Sequence, residues 1–388
     1  DEIMIDLVRL GRFAGARVIL DRATGIDRDA RLVHLANRPP LADDVASIDI
    51  GIASDLPALP GFAAYATAAK PLGDYAESWQ AFVARGLPNP DVVVIGAGIG
   101  GVELALASRH RLGPGATITL LEQAEAPLFG IGAGTRRALL AHLSRAKITL
   151  LTKAAPARIT ADTVILTDGR SLPSDFTLAV AGSRPQDWLA DTGLVLKNGF
   201  ITVSPQMQSS DPTIFAAGDC ADMSFAPRPK AGVYAVRAAP ILFHNLRAAL
   251  TGTRLRAYHP QRDYLKLIST GGKSAVADKW HLPLDGPWLW RWKDRIDRKF
   301  MAKFADYPAM PTPPLPSPAV AGLAEAMGDK PLCGGCGAKL GAADLSAALS
   351  TLPAPARGDV ISGPGDDAAI LCAEGGVQVI TTDHLRAF

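Results

Sequence analysis

Gly96-Ala97-Gly98-Ile99-Gly100-Gly101 is the segment best placed to do chemistry, and the chemistry is the seating of a diphosphate. The loop follows the apolar run Val92-Val93-Val94-Ile95 and opens into Val102, Leu104, Ala105 and Leu106, which read as a helix. Gly96 allows a tight turn, Gly98 lets backbone approach the phosphates, and Gly101 lets helix and strand pack closely, with the helix N-terminus facing the negative charge. A glycine turn with no ligand is the plain alternative; the strand before it and the helix after it argue for a nucleotide. A second apolar run, residues 117–121, ends at Glu122, 21 residues past Gly101. An acid there accepts hydrogen bonds from a ribose diol and repels a 2′-phosphate, so NADH is predicted over NADPH.

Thr213-Ile214-Phe215-Ala216-Ala217-Gly218-Asp219 is a short apolar strand ending in Gly-Asp, a pattern that by itself reads equally as a turn. Further on, Cys333-Gly334-Gly335-Cys336-Gly337-Ala338-Lys339-Leu340 sets two thiols in a glycine-rich loop. Half a zinc site is one reading, although no second Cys/His pair follows. A nucleophilic thiolate, its pKa lowered by Lys339, is another. Gly363-Pro364-Gly365-Asp366-Asp367-Ala368-Ala369 and Thr381-Thr382-Asp383 then place carboxylates beside a glycine turn and after an apolar strand. Such oxygens suit Mg²⁺, the companion of ATP phosphates.

These groups need a scaffold. Residues 91–121 read as strand, helix, strand. Residues 136–145 read as a helix with Leu139, Leu140 and Leu143 inward, and residues 148–151, 163–167, 178–181 and 213–217 as further strands. Earlier, residues 16–33 read as two short strands around a turn at Thr24-Gly25-Ile26-Asp27, and residues 44–51 as a strand ending in glycine. Strands interleaved with helices at this spacing predict α/β architecture with parallel sheets. In 388 residues there is room for two or three domains, and a 48% hydrophobic content supplies their cores. A net charge of +2 gives no reason to expect nucleic acid as a partner. No apolar run is long enough to span a bilayer. The four cysteines suit a reducing cytosol. Only Cys220 falls in the first three hundred residues, which argues against a redox cysteine pair.

The order glycine loop, Glu122, Gly218-Asp219, helix from about residue 231 resembles the pyridine nucleotide–disulfide oxidoreductase family over roughly residues 1–300. The resemblance implies two dinucleotide-binding folds, an FAD domain interrupted by an inserted NADH domain. Residues 44–51 resemble the strand before the insertion, and Val180-Ala181-Gly182-Ser183-Arg184-Pro185 the crossing back after it. By resemblance, Asp219 holds the flavin ribityl chain, Gly218 lets it approach, and the helix from Ala231 points at the ring. Glu103 matches an acid close to the nicotinamide; a solvated carboxylate at a helix start is the alternative. The family's first glycine fingerprint is absent and is expected upstream of Asp1, so the chain is expected to be truncated at both ends. Without a cysteine pair, the type II NADH dehydrogenase-like branch is favoured. That branch shows glutamines near its quinone pocket, where this chain reads Ala235-Val236-Arg237-Ala238-Ala239-Pro240, so the electron acceptor stays open.

Residues 331–388 resemble the start of selenophosphate synthetase (selenide, water dikinase). That resemblance implies a partial α+β domain in which Cys336 is the catalytic position, Lys339 the essential lysine, and Asp367 and Asp383 the carboxylates holding Mg²⁺ and ATP. Selenide would be the substrate, and the domain would be incomplete at Phe388. The expected order is therefore residues 1–87 and 171–255 for the two parts of the FAD domain and 88–170 for the NADH domain. An extension follows at 256–307, a Pro-rich linker at 308–330, and the synthetase start at 331–388. A homodimer in the cytoplasm is expected. Residues 288–304 (WLWRWKDRIDRKFMAKF) put Leu289, Trp292, Ile296, Phe300 and Phe304 at helical spacing among basic residues. Such a helix either lies on the inner face of a membrane or docks on its own domain with a solvated basic face; docking is the favoured reading. An NADH:quinone reductase with an unrelated fused partner and a degenerate flavoprotein scaffold are the alternative functions.

Overall fold

The computed structural model describes residues 4–54, 56–279, 284–305, 307, 321–322, 350–351, 358–362, 368–373 and 376–381. The chain divides into two compact units, Asp43–Asp297 and Asp1–Ala42 with Arg298–Phe388.

In the larger unit, a five-stranded parallel sheet runs in the order Ala66–Ala68, Phe176–Ala179, Asp91–Ile95, Thr117–Leu121, Thr149–Leu151. Asp91–Ile95 lies in the middle, which is why its sequence is apolar at consecutive positions: Val92, Val93, Val94 and Ile95 are all buried, having helices or loops on both faces. Helices Leu72–Ala84, Ile99–Leu112 and Ala133–Arg145 flank the sheet. Val102, Ala105, Leu106, Leu139 and Leu143 from two of them join Val92, Val94, Ile118, Leu120 and Leu178 in one core. A small antiparallel sheet (Pro156–Ile159, Thr163–Leu166, Ser171–Pro173) precedes the strand that returns to the centre.

A second antiparallel sheet, Lys266–Ser269, Ala275–Asp278 and Leu284–Gly286, covers the helices Ile99–Leu112 and Ala133–Arg145. Ile268 and Val276 enter the same core. At Gly271 an added β-carbon would stand 2.2 Å from the Leu106 carbonyl oxygen, so sheet and helix meet there at backbone distance. Asp278 fixes the other helix: its Oδ1 accepts hydrogen bonds from the Gly132 N–H (3.1 Å) and the Thr135 hydroxyl (3.1 Å) at the helix N-terminus.

The rest of this unit pairs Ala46–Ile48 with Ile214–Ala216 in parallel and packs the helix Gly232–Thr251 nearby. Two chain segments join the halves, and they bond to each other: Ala53 and Arg184 exchange N–H···O bonds of 2.9 Å in each direction.

In the smaller unit, helix Leu7–Ala14 is capped by Asp6, and strands Ala23–Asp27, Leu32–Leu35 and Leu41–Ala42 form an antiparallel sheet. Thr24-Gly25-Ile26-Asp27, read above as a turn, is itself strand. The turn comes four residues later, where Asp27 Oδ1 accepts the Ala30 N–H (2.9 Å) and Arg31 takes φ +54°, while Gly25 is absorbed by a register shift in the strand. Near the C-terminus, Val360–Ser362, Ala368–Ala373 and Gly376–Thr381 form an antiparallel sheet. Cys333, Cys336, Lys339, Asp367 and Asp383 lie outside the described residues, as does the 308–330 segment apart from 321–322. Among the described residues no helix is long and apolar enough to cross a membrane.

Candidate functional site

Gly96 takes φ +102°, a conformation rare for residues with a side chain, and an added β-carbon there would stand 2.9 Å from the Ala181 nitrogen. The chain thus leaves the central strand sharply, and helix Ile99–Leu112 begins at Ile99, inside the glycine motif rather than after it. Its first intrahelical bond runs from Val102 N–H to Gly98 O (3.1 Å), so the N–H groups of residues 98–101 have no intrahelical partner and can face a ligand. An added β-carbon at Gly98 would meet nothing within 4 Å, whereas one at Gly101 would stand 1.8 Å from Gly96 O. One glycine therefore faces open space and the other is a packing necessity.

Glu122 stands at the end of Thr117–Leu121, held by its own backbone (N–H to Leu151 O, 2.8 Å). Its carboxylate turns back to the loop. Oε2 accepts the Ala97 N–H at 3.2 Å and Oε1 the Ala124 N–H at 2.9 Å. The acid and the glycine loop that sequence spacing paired are thus joined by a hydrogen bond.

Glu103 is not a solvated carboxylate. It is half-buried, Oε1 accepts the Ser269 N–H at 2.7 Å, and burial pushes its pKa up. The covering sheet, which supplies Ser269, is what removes it from water; nothing in the local sequence of Glu103 signals that sheet.

At the other half, Gly218 takes φ +72° at the end of strand Ile214–Ala216, and Asp219 follows in a short 3-10 turn. Asp219 Oδ2 lies 3.3 Å from Lys70 Nζ. Lys70 comes from the loop after Ala66–Ala68, where its N–H donates to the buried Ser54 hydroxyl at 2.8 Å. Gly182 lies two residues before the Ala53–Arg184 crossing. A small cleft of about 70 Å³ is lined by Gly218, Asp219, Asp222, Lys230, Ala231 and Tyr234 among others. Lys230 reaches into it with Nζ donating to the Ala221 carbonyl and lying 4.0 Å from the Phe200 ring centroid; burial lowers its pKa. Sequence reasoning missed both lysines. Lys230, just before the helix at Ala231, carried a local signal; Lys70, brought in by a crossover, carried none.

Cys220 is buried, its thiol donating to Ile48 O (3.1 Å) and Ala217 O (3.2 Å), and burial pushes its pKa up to about 12. It is a packing residue and no thiolate.

The donors present fit nucleotide groups. Unbonded N–H groups above an open Gly98 suit a diphosphate, and an acid at the loop suits a ribose. The cleft at Gly218 and Asp219, with a carboxylate acceptor and flanking ammonium groups, suits the hydroxyls of a polyhydroxyl chain. GxGxxG occurs once in the sequence, at residues 96–101, so no residue is assigned to a second diphosphate.

The sequence model of the pyridine nucleotide-disulphide oxidoreductase family matches residues 11–239. The nitric oxide reductase FlRd-NAD(+) reductase of Aeromonas hydrophila subsp. hydrophila is 37% identical over 136 residues, 33% of this chain and 34% of that protein. Putidaredoxin reductase CamA of Pseudomonas putida is 35% identical over 143 residues, 34% of this chain and 32% of that protein. The matches span about a third of the length of these curated relatives. Among solved structures, Fdr9 superposes with a TM-score of 0.54 at 26% identity, covering 68% of this chain and 64% of that one. NDH2 from Plasmodium falciparum, solved in complex with NADH, superposes with a TM-score of 0.60 over 74% of this chain and 84% of that one; at 12% identity it shares the fold.

Proposed function

The chain belongs to the pyridine nucleotide-disulphide oxidoreductase family, and from that premise we propose that it is an FAD-dependent NADH:acceptor oxidoreductase joined to the start of a selenophosphate synthetase. The observation that carries the first part is the hydrogen bond from Ala97 N–H to Glu122, which sets a ribose-reading acid against a diphosphate-seating loop. Gly96, Gly98 and Gly101 shape that loop, and the N–H groups of the first helical turn neutralise the phosphates. Glu122 accepts the ribose hydroxyls and repels a 2′-phosphate, which favours NADH. When bound, the flavin supplies the two-electron acceptor for the nicotinamide hydride. Asp219 would take a ribityl hydroxyl, with Gly218 giving it room and Gly182 easing the crossover. Glu103, kept from water by the sheet bearing Ser269, would wall the nicotinamide end. Cys220, buried with a raised pKa, leaves no thiol for disulfide chemistry in residues 1–300.

An absorbance spectrum recorded anaerobically before and after NADH tests this reading. A flavin band that bleaches on addition supports it. A colourless protein sinks it and favours the scaffold alternative.

For residues 331–388 the support is the ordered motif set alone: Cys336 and Lys339, then Asp367, then Asp383. Cys336 would carry the nucleophilic position and the two aspartates would hold Mg²⁺ and ATP for phosphoryl transfer to selenide. Mg²⁺-dependent ATP binding that Asp367→Asn leaves untouched would remove this part of the proposal.

A quinone acceptor at a membrane surface is favoured by one feature. The helix Pro287–Ala305 buries Leu289, but Trp288, Trp292 and Ile296 stay 50%, 43% and 44% exposed beside Arg291 and Arg295. An apolar stripe rimmed by cations suits an anionic lipid surface. Co-sedimentation with phosphatidylserine vesicles, and its loss in Trp292→Glu, measures this.

A further inference from the structure

Phe129 is 95% exposed, and the three residues around it explain why it is there. Leu128 is buried in the main core, takes φ +59°, and donates its N–H to Ala97 O at 2.9 Å. Arg136 Nη2 donates to Leu128 O at 3.3 Å. Gly130 follows at φ +80°. A left-handed conformation is unfavourable for leucine, and here its burial and two hydrogen bonds hold it in place. The inverted residue turns the chain so that residue 129 projects away from the core.

Ala97 fixes where that projection lies. Its N–H donates to Glu122 and its carbonyl accepts from Leu128, so the acid and the residue before Phe129 are each one hydrogen bond from the same residue. The loop is tied at its ends too: Lys153 N–H donates to Ala124 O (3.0 Å), and Gly132 N–H to Asp278 (3.1 Å). A single exposed phenylalanine is ordinary on a protein surface. One on a segment bonded to Ala97, the same residue whose N–H the Glu122 carboxylate accepts, is close enough to the proposed ribose site to meet the base that the ribose carries.

We propose that Phe129 is the stacking platform for the adenine of NADH, a specificity residue that grips the base while Glu122 reads its sugar. This rests on the NADH reading given above. An aromatic face suits any purine and adds no charge to pair with a 2′-phosphate, so it leaves the discrimination of the sugar to Glu122.

The experiment titrates the full chain with NADH and with ADP-ribose, which carries adenosine and diphosphate and no nicotinamide. Phe129→Ala is expected to weaken both ligands by the same factor, about tenfold, with Tm unmoved because the side chain packs on little; Phe129→Trp should retain wild-type affinity. Unchanged NADH affinity in Phe129→Ala, or a loss for NADH that ADP-ribose does not share, overturns the platform and leaves the oxidoreductase reading standing. A native chain that binds neither ligand overturns both.

Discussion

The carbonyl oxygen of Gly96 stands 1.8 Å from the point where a β-carbon on residue 101 would sit, while the same addition at Gly98 meets nothing within 4 Å. The two glycines of one motif are therefore placed differently, one packed against backbone and one facing the space proposed for the phosphates. Gly101→Ala should destabilise the chain by about 2 kcal/mol or more, the scale of forced overpacking. Gly98→Ala should change stability by less than about 0.5 kcal/mol, the usual surface value, yet weaken NADH binding by filling the space the phosphates need. Urea denaturation and NADH titration of both variants separate these effects; equal stabilities would remove the packing role of Gly101.

Glu122 bonds two backbone N–H groups and is the residue proposed to read the ribose. Glu122→Gln keeps an acceptor and removes the charge. The preference for NADH over NADPH should fall about tenfold, the order of one charge-assisted hydrogen bond and one repulsion. The ratio of the two dissociation constants measures it, and a ratio that does not move excludes Glu122 as the discriminating residue.

How far the sequence could be read depended on how local each signal was. The glycine loop, Glu122 and the apolar strand before them are a contiguous pattern, and the structure keeps them together. The partner of Glu103 is 166 residues away, and Lys70 is 149 residues from Asp219. Both contacts arise from chain crossings that no periodicity announces. The turn misplaced onto Thr24–Asp27 failed for the opposite reason. Gly25 carries a strong turn signal, but the strand absorbs it in a bulge, and the weaker Asp27 cap decides where the chain reverses. The spacing of residues 288–304 predicts a helix and Pro287–Ala305 is one, with Leu289 its one buried residue and Lys293 near enough to Glu103 to act on its charge.

Cys220 should resist alkylation in the folded protein, since burial and a pKa near 12 deny it both access and thiolate. Exposed Cys372 should react. Peptide mapping after iodoacetamide treatment of native and urea-unfolded protein reads this directly. Labelling of Cys220 in the native state at the rate of Cys372 would contradict the packing described.

Burial raises the pKa of Glu103 above its ordinary value of 4.5 in the folded state. The folded protein therefore holds this proton more tightly than the unfolded chain does. The stabilising contribution is fully present below the unfolded pKa and is lost as pH rises through the folded one. At neutral pH the ionised group is a net cost that its bond to Ser269 and the charge of Lys293 only partly offset. Glu103→Gln preserves an acceptor for the Ser269 N–H and carries no charge. It should raise stability at pH 7, because a neutral amide avoids the desolvation cost of the buried charge. The gain should vanish below about pH 4.5, where wild type is itself neutral. Denaturation curves at the two pH values test the sign. A variant less stable than wild type at pH 7 would mean that the Ser269 bond outweighs desolvation, and that the covering sheet is held on by the charge it buries.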